Sequence, residues 1–216
     1  FPNDERFLYR SDRGGNELSH LYVQAPDGTV TDLTPGDELK AMFLGWAQDE
    51  QSFFVATNER DRRFFDAYEY NAATYQRQLI HENNEGLNFR GITPDRRTIA
   101  LGKIETNADS DIYLCDRQTN QLTKITAHEG DINHYSSGFS PDGQFLYYRT
   151  DKDSEFLYLM HYELSTGKHE KLLSADWDIM GASLSKQGKY WLVSINNDER
   201  SELRFYDAEA RTPIDL

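Results

Sequence analysis

The chain has 216 residues, enough for one large domain or two small ones. It carries a formal net charge of −14, with 38% hydrophobic and 13% aromatic residues, so it can bury a sizeable core. The acidic balance argues against a nucleic-acid binder, which needs a basic face to meet phosphates, and disfavours docking on an anionic membrane. The single cysteine, Cys115, rules out an internal disulfide framework and a cysteine metal cluster, and it reads as a buried structural thiol.

Taken in chain order, the residues repeat. The strings "FPNDERFLYR" at Phe1, "WAQDEQSFF" at Trp46, "ITPDRRTIA" at Ile92, "FSPDGQFLYY" at Phe139 and "LSKQGKYWLV" at Leu184 recur at intervals of about 46 residues. Each is a turn followed by an apolar run. An apolar run also precedes the turn, as in "KAMFLGWA", "GLNFRGIT", "INHYSSGFS" and "DIMGASLS". A third element begins at residues 20, 66, 111, 155 and 202 ("HLYVQA", "DAYEYN", "DIYLCD", "EFLYLM", "ELRFYD"). A fourth follows as "VTDLT", "RQLIH", "LTKIT", "HEKLL" and the terminal "TPIDL". The approximate units are 1–34, 35–80, 81–126, 127–173 and 174–216.

Each unit therefore holds four short strands, partly alternating, as expected when sheets pack on both faces. The turns carry their own chemistry. In "SPDG", Pro141 presets φ, Asp142 accepts local hydrogen bonds and Gly143 tolerates positive φ. No helix of ordinary length is expected. Four strands in 40–50 residues is the arithmetic of a β-propeller blade. The predicted fold is all-β, a propeller with four-stranded antiparallel blades and about five repeats. Gly45, Gly91, Gly138 and Gly181 fall in the first strand of their units, where crowding near a propeller axis would call for glycine.

Longer strings carry a resemblance. "SDRGGNELSHLYV", "NERDRRFFDAYEY", "SDIYLCDR", "HEGD" and "FSPDGQFLYYRTDKDSEF" resemble the N-terminal propeller of prolyl oligopeptidase family serine peptidases. The nearest branch is the bacterial dipeptidyl-peptidase and acylaminoacyl-peptidase-like one. The resemblance spans nearly the whole chain. It implies a propeller that gates peptide access to an α/β-hydrolase domain of the same parent chain, with short peptides as substrates. In some members the propeller also holds the substrate's free amino terminus with acidic side chains.

The hydrolase domain is not recognisable in these residues. The nearest string to a G-x-S-x-G elbow is "GASLS" at 181–185, and Ser183 reads as a strand residue. The first unit lacks its first strand and the last stops at "TPIDL", which suggests the middle portion of a larger, partial propeller. No leader is visible, and bacterial cytoplasm and periplasm are both compatible. We expect this chain alone to be catalytically inactive.

The six histidines, His20, His81, His128, His134, His161 and His169, are scattered along the chain without metal-ligand spacing. "HEGD" at 128–131 reads as a connecting loop. No catalytic residue, metal site or cofactor is expected. The loops between second and third strands are charged: "SDRGGNELS", "NERDRRFFD", "ETNADSD", "DKDSE" and "NNDERSE". They read as a solvated rim or, more sharply, as a face that meets a partner domain or peptide amino termini. Open sheet edges would favour self-association. The alternative is a stand-alone propeller serving as an interaction scaffold.

Overall fold

The computed structural model describes residues 1–215. Every regular element among them is a strand. The first sheet holds β1 (Phe7–Ser11), β2 (His20–Gln24) and β3 (Val30–Asp32); the second holds β4 (Ala41–Trp46), β5 (Ser52–Asp61), β6 (Phe64–Asn71) and β7 (Arg77–His81). The third is β8 (Asn88–Ile92), β9 (Thr98–Thr106), β10 (Asp109–Asp116) and β11 (Gln121–Lys124). The fourth is β12 (His134–Phe139), β13 (Phe145–Thr150), β14 (Tyr158–Glu163) and β15 (His169–Leu173). The fifth is β16 (Ile179–Leu184), β17 (Tyr190–Asn197), β18 (Arg200–Asp207) and β19 (Pro213–Ile214). Within each sheet the strands follow chain order, as antiparallel meanders. The fold is thus all-β with blades of the β-propeller type, and the first blade has three strands. Within the terminal string "TPIDL" Pro213 and Ile214 form the short β19, and Leu216 lies outside the described residues.

The chain forms two compact units, Phe1–Phe89 and a second running on from Arg90, with the division inside β8. In the first unit Leu21 and Val23 of β2 pack with Phe53 and Val55 of β5 and Tyr70 of β6, all at most 2% exposed. Tyr70 keeps its hydroxyl satisfied by donating to the Leu33 carbonyl at 3.2 Å. The second unit has two such layers. Ala100 and Ile112 meet Leu146 and Tyr148, and Leu159 meets Ile179, Trp191, Val193 and Ile195. Each layer joins the faces of consecutive sheets, which is why strands here are apolar on both sides.

The turn chemistry holds at atomic level. Ser140 Oγ donates to Asp142 Oδ1 at 2.5 Å, and that same oxygen accepts the Gln144 amide at 3.0 Å. The third copy repeats it, with Thr93, Asp95 and Arg97 in those places at 2.6 and 3.0 Å.

Two expectations are revised. The third element of the fourth unit begins at Tyr158, not at residue 155. Residues 151–157 form a longer turn: the Leu157 amide donates to Asp178 Oδ1 at 2.8 Å, and Phe156 packs on Trp177. Gly45 and Gly138 are also needed for a different reason. A Cβ on Gly45 or Gly138 would meet nothing within 4 Å, so crowding does not select them. Both sit at register shifts in their strands with φ of +138° and +103°, a backbone that L side chains resist. Ser183 is a strand residue, paired with Leu192, as expected. Cys115 is a half-buried free thiol in β10 whose pKa burial raises.

Candidate functional site

In the first three sheets the loop that leaves the last strand is held by residues at the start of the strand before it. In the second sheet Asp66 is fully buried and takes a two-point contact from Arg60, Nε and Nη2 at 2.7 and 2.8 Å. The same carboxylate accepts the Asn83 amide at 2.8 Å, while Arg60 donates to the Asn83 carbonyl at 2.8 Å. In the first sheet His20 Nδ1 lies 2.8 Å from Asp32.

The richest version is in the third sheet, where β10 starts with Asp109, Ser110 and Asp111. The connection after β11 returns His128 and His134 to them. Asp111, His128 and His134 bring potential ligand atoms within 4.8 Å of one another. Sequence spacing did not reveal this grouping, because the three residues belong to two repeats. Aligning the start of the third strand with the following connection would have brought them together.

Each ligand atom of Asp111 and His128 already has a partner. Asp111 Oδ2 is 2.6 Å from Lys124 Nζ, and its Oδ1 accepts the Thr126 hydroxyl at 3.1 Å. His128 Nδ1 donates to the Thr126 carbonyl at 2.7 Å, and Nε2 is 3.0 Å from Asp109 Oδ1. The Thr126 carbonyl, then Asp109 and Asp111, raise the His128 pKa above its usual value against the opposing effect of burial. Burial lowers that of His134, whose Nδ1 donates to the Ser110 carbonyl at 3.0 Å. Among the described residues this donor set fits a closed charge network better than a cation: a metal would have to displace Lys124 and strip a proton from His128. Ser110 is also no nucleophile of a Ser–His pair, since its hydroxyl donates to the His134 carbonyl at 3.1 Å and not to the imidazole.

A cavity of about 150 Å³ opens beside this network, lined by Arg90, Lys103, Asp111, His134, Tyr135 and Arg149 among others. The charged loops between second and third strands are mostly tight hairpins, such as Asp61 opposite Phe64, and that of the third sheet brings Asp109 and Asp111 into this network. Their charges pair locally. Arg63 meets Asp61 at 2.7 Å and Arg62 meets Glu38, both at exposed sites.

No family model matches the chain. It is 24% identical over 218 residues to dipeptidyl aminopeptidase BIII of Pseudoxanthomonas mexicana; the match covers 98% of this chain and 31% of that protein. The structure is similar to TolB from Acinetobacter baumannii, with a TM-score of 0.73 and 18% identity over 98% of this chain and 53% of that one. It is also similar to a structure from a study of two prolyl endopeptidases, with a TM-score of 0.71 and 12% identity over 97% of this chain and 33% of that one. The chain thus spans about a third of its curated relative and about half of the TolB chain. The resemblance to the prolyl oligopeptidase family is borne out in sequence likeness and in fold.

Proposed function

We propose that this chain is the propeller portion of a prolyl-oligopeptidase-like serine peptidase, with residues 1–216 forming one non-catalytic portion that restricts access to an α/β-hydrolase domain. The observation that carries this reading is the likeness to a dipeptidyl aminopeptidase along 98% of the chain. The polar networks at Asp66 and Asp111 are consistent with it, because they anchor loops and the Ser110 hydroxyl donates to the His134 carbonyl and not to an imidazole. In the intact enzyme the hydrolase serine attacks the peptide carbonyl and water then releases the acyl group. The propeller's part is to admit short peptides and exclude folded chains. Its charged rim at Arg62 and Arg63 faces the partner domain or the peptide.

The test is a serine-directed fluorophosphonate probe on the intact gene product, together with dipeptidyl chromogenic substrates. Labelling and turnover by the intact product, both missing from residues 1–216 alone, support the reading. An intact product that neither labels nor cleaves peptides overturns it. The second reading, a stand-alone interaction scaffold, draws on the fold likeness to TolB and takes over in that case. Within a confirmed peptidase, reversing Arg62 and Arg63 to Glu should change KM for charged peptides. Unchanged kinetics would remove these arginines from the substrate path.

A further inference from the structure

The chain is strongly acidic, and most of its arginines find carboxylates: Arg60 with Asp66, Arg77 with Glu59, Arg97 with Asp116, Arg204 with Glu202 and Arg211 with Glu170. Arg90 and Arg149 do not. Among the described residues neither has a carboxylate partner, and both line the cavity of about 150 Å³ between β8, β9, β12 and β13. Arg149 is half-buried while Arg90 is exposed on β8, and desolvation with no anion to offset it lowers the pKa of both.

The Arg149 side chain is held in place. Arg149 donates through Nη1 to the carbonyls of Ile179 (3.2 Å) and Met180, and its guanidinium lies 5.5 Å from the Tyr135 ring centre. Tyr135 is fixed in turn by a 2.7 Å bond to Asn133, whose amide groups both reach Asp151. The Arg149 Nε is buried and has no acceptor. Arg90 lies across Gly102 of the neighbouring strand, so closely that a Cβ there would come within 2.8 Å of its Nε. The other charges of the cavity are already balanced. Asp111 is held by Lys124 at 2.6 Å, and Lys103 by Glu105 at 2.7 Å. His134 gives its Nδ1 proton to the Ser110 carbonyl. What remains is two forked cations and an orphaned buried N–H.

We propose that this cavity is a binding site for a carboxylate, held between Arg90 and Arg149. A guanidinium matches the two oxygens of a carboxylate in one plane, and a buried N–H without an acceptor is costly until such a group arrives. The cavity has room for a carboxylate and a few atoms behind it, the end of a peptide or a small organic acid. This inference concerns the chain itself and does not depend on the peptidase reading.

The test is calorimetric titration of the chain with N-acetylglycylglycine, its C-terminal amide and inorganic phosphate. The acid should bind at least about tenfold more tightly than the amide, and Arg90→Gln should remove that difference. Gly102→Ala, which keeps every charge but pushes the Arg90 side chain aside, should weaken the acid roughly tenfold as well. These two variants spare the Arg149 contacts to the Ile179 and Met180 carbonyls, so they separate binding from folding. Equal binding of acid and amide, or unchanged binding by Arg90→Gln, overturns the site. Phosphate binding as tightly as the acid overturns its assignment to a carboxylate.

Discussion

His128 and Asp109 meet at 3.0 Å where β10 begins, while the other ring nitrogen of His128 is committed to the Thr126 carbonyl at 2.7 Å. Only the protonated ring can donate to both. Asp111 lies 3.5 Å from Nδ1, and the His134 ring packs alongside with its centre 5.0 Å away. Because the folded pKa of His128 is raised from 6.5, its contribution is full below about pH 6.5 and is lost as pH rises through the folded value. His134 works in the opposite sense: burial lowers its pKa, so its contribution holds above about pH 6.5 and is lost as pH falls. His128→Gln should therefore cost about 1–2 kcal/mol at pH 5.5 and clearly less at pH 9, read by urea unfolding. A deficit that does not change with pH would mean the ring is neutral in the folded chain.

Asp66 carries a larger load. Its side chain is 1% exposed and receives three donors, two from Arg60 and one from the Asn83 amide. Asp66→Asn replaces an acceptor by an amide facing a guanidinium, and should destabilise by about 3–5 kcal/mol. Arg60→Met leaves the buried carboxylate without its cation and should also destabilise. The double variant should recover part of the loss, because no buried charge is then unpaired. Strict additivity in chemical denaturation would show that Arg60, whose side chain is 35% exposed, contributes little to holding Asp66.

The repeat makes the architecture legible in the sequence. Turn strings such as "SPDG" are local devices, so Ser140, Asp142 and Gln144 declare their hydrogen bonds in sequence. Strand starts set by side chains from distant residues are not declared. Tyr158 opens β14 because Asp178, twenty residues on, holds the Leu157 amide, and no pattern within "DKDSEF" records that. The polar sites were hidden for the same reason. Asp111 meets His134 only because one strand start and the next unit's first strand converge, and Arg90 and Arg149 share a cavity across separate strands. The need for glycine at 138 was legible, but its cause was a backbone angle that composition cannot state.

β1 gives the next expectation. It is bonded only to β2, so alternate amides and carbonyls along its other edge have no ladder partner within the sheet. Phe7 on the same strand is 49% exposed. Such an edge invites pairing with a second chain. Residues 1–216 should show concentration-dependent association in light scattering, and Phe7→Lys should weaken it. A chain that stays monomeric at high concentration, with fully protected β1 amides in hydrogen exchange, would show the edge to be covered.

The bulge glycines allow a sharp contrast between two substitutions of the same size. Gly138 has φ of +103° and open space where a Cβ would go. Gly181 occupies the first strand of the next sheet, also at a register shift, but its φ lies outside the left-handed range. A Cβ there would meet Ser194 Cβ at 3.7 Å, an ordinary contact. If crowding governed these positions, Gly181→Ala would be the more damaging change. If backbone angle governs them, Gly138→Ala should cost about 1–3 kcal/mol and Gly181→Ala should be near neutral. Urea midpoints at unchanged slope decide between the two causes. Equal losses would return the explanation to packing and remove the bulge as the reason the repeat keeps glycine at 138.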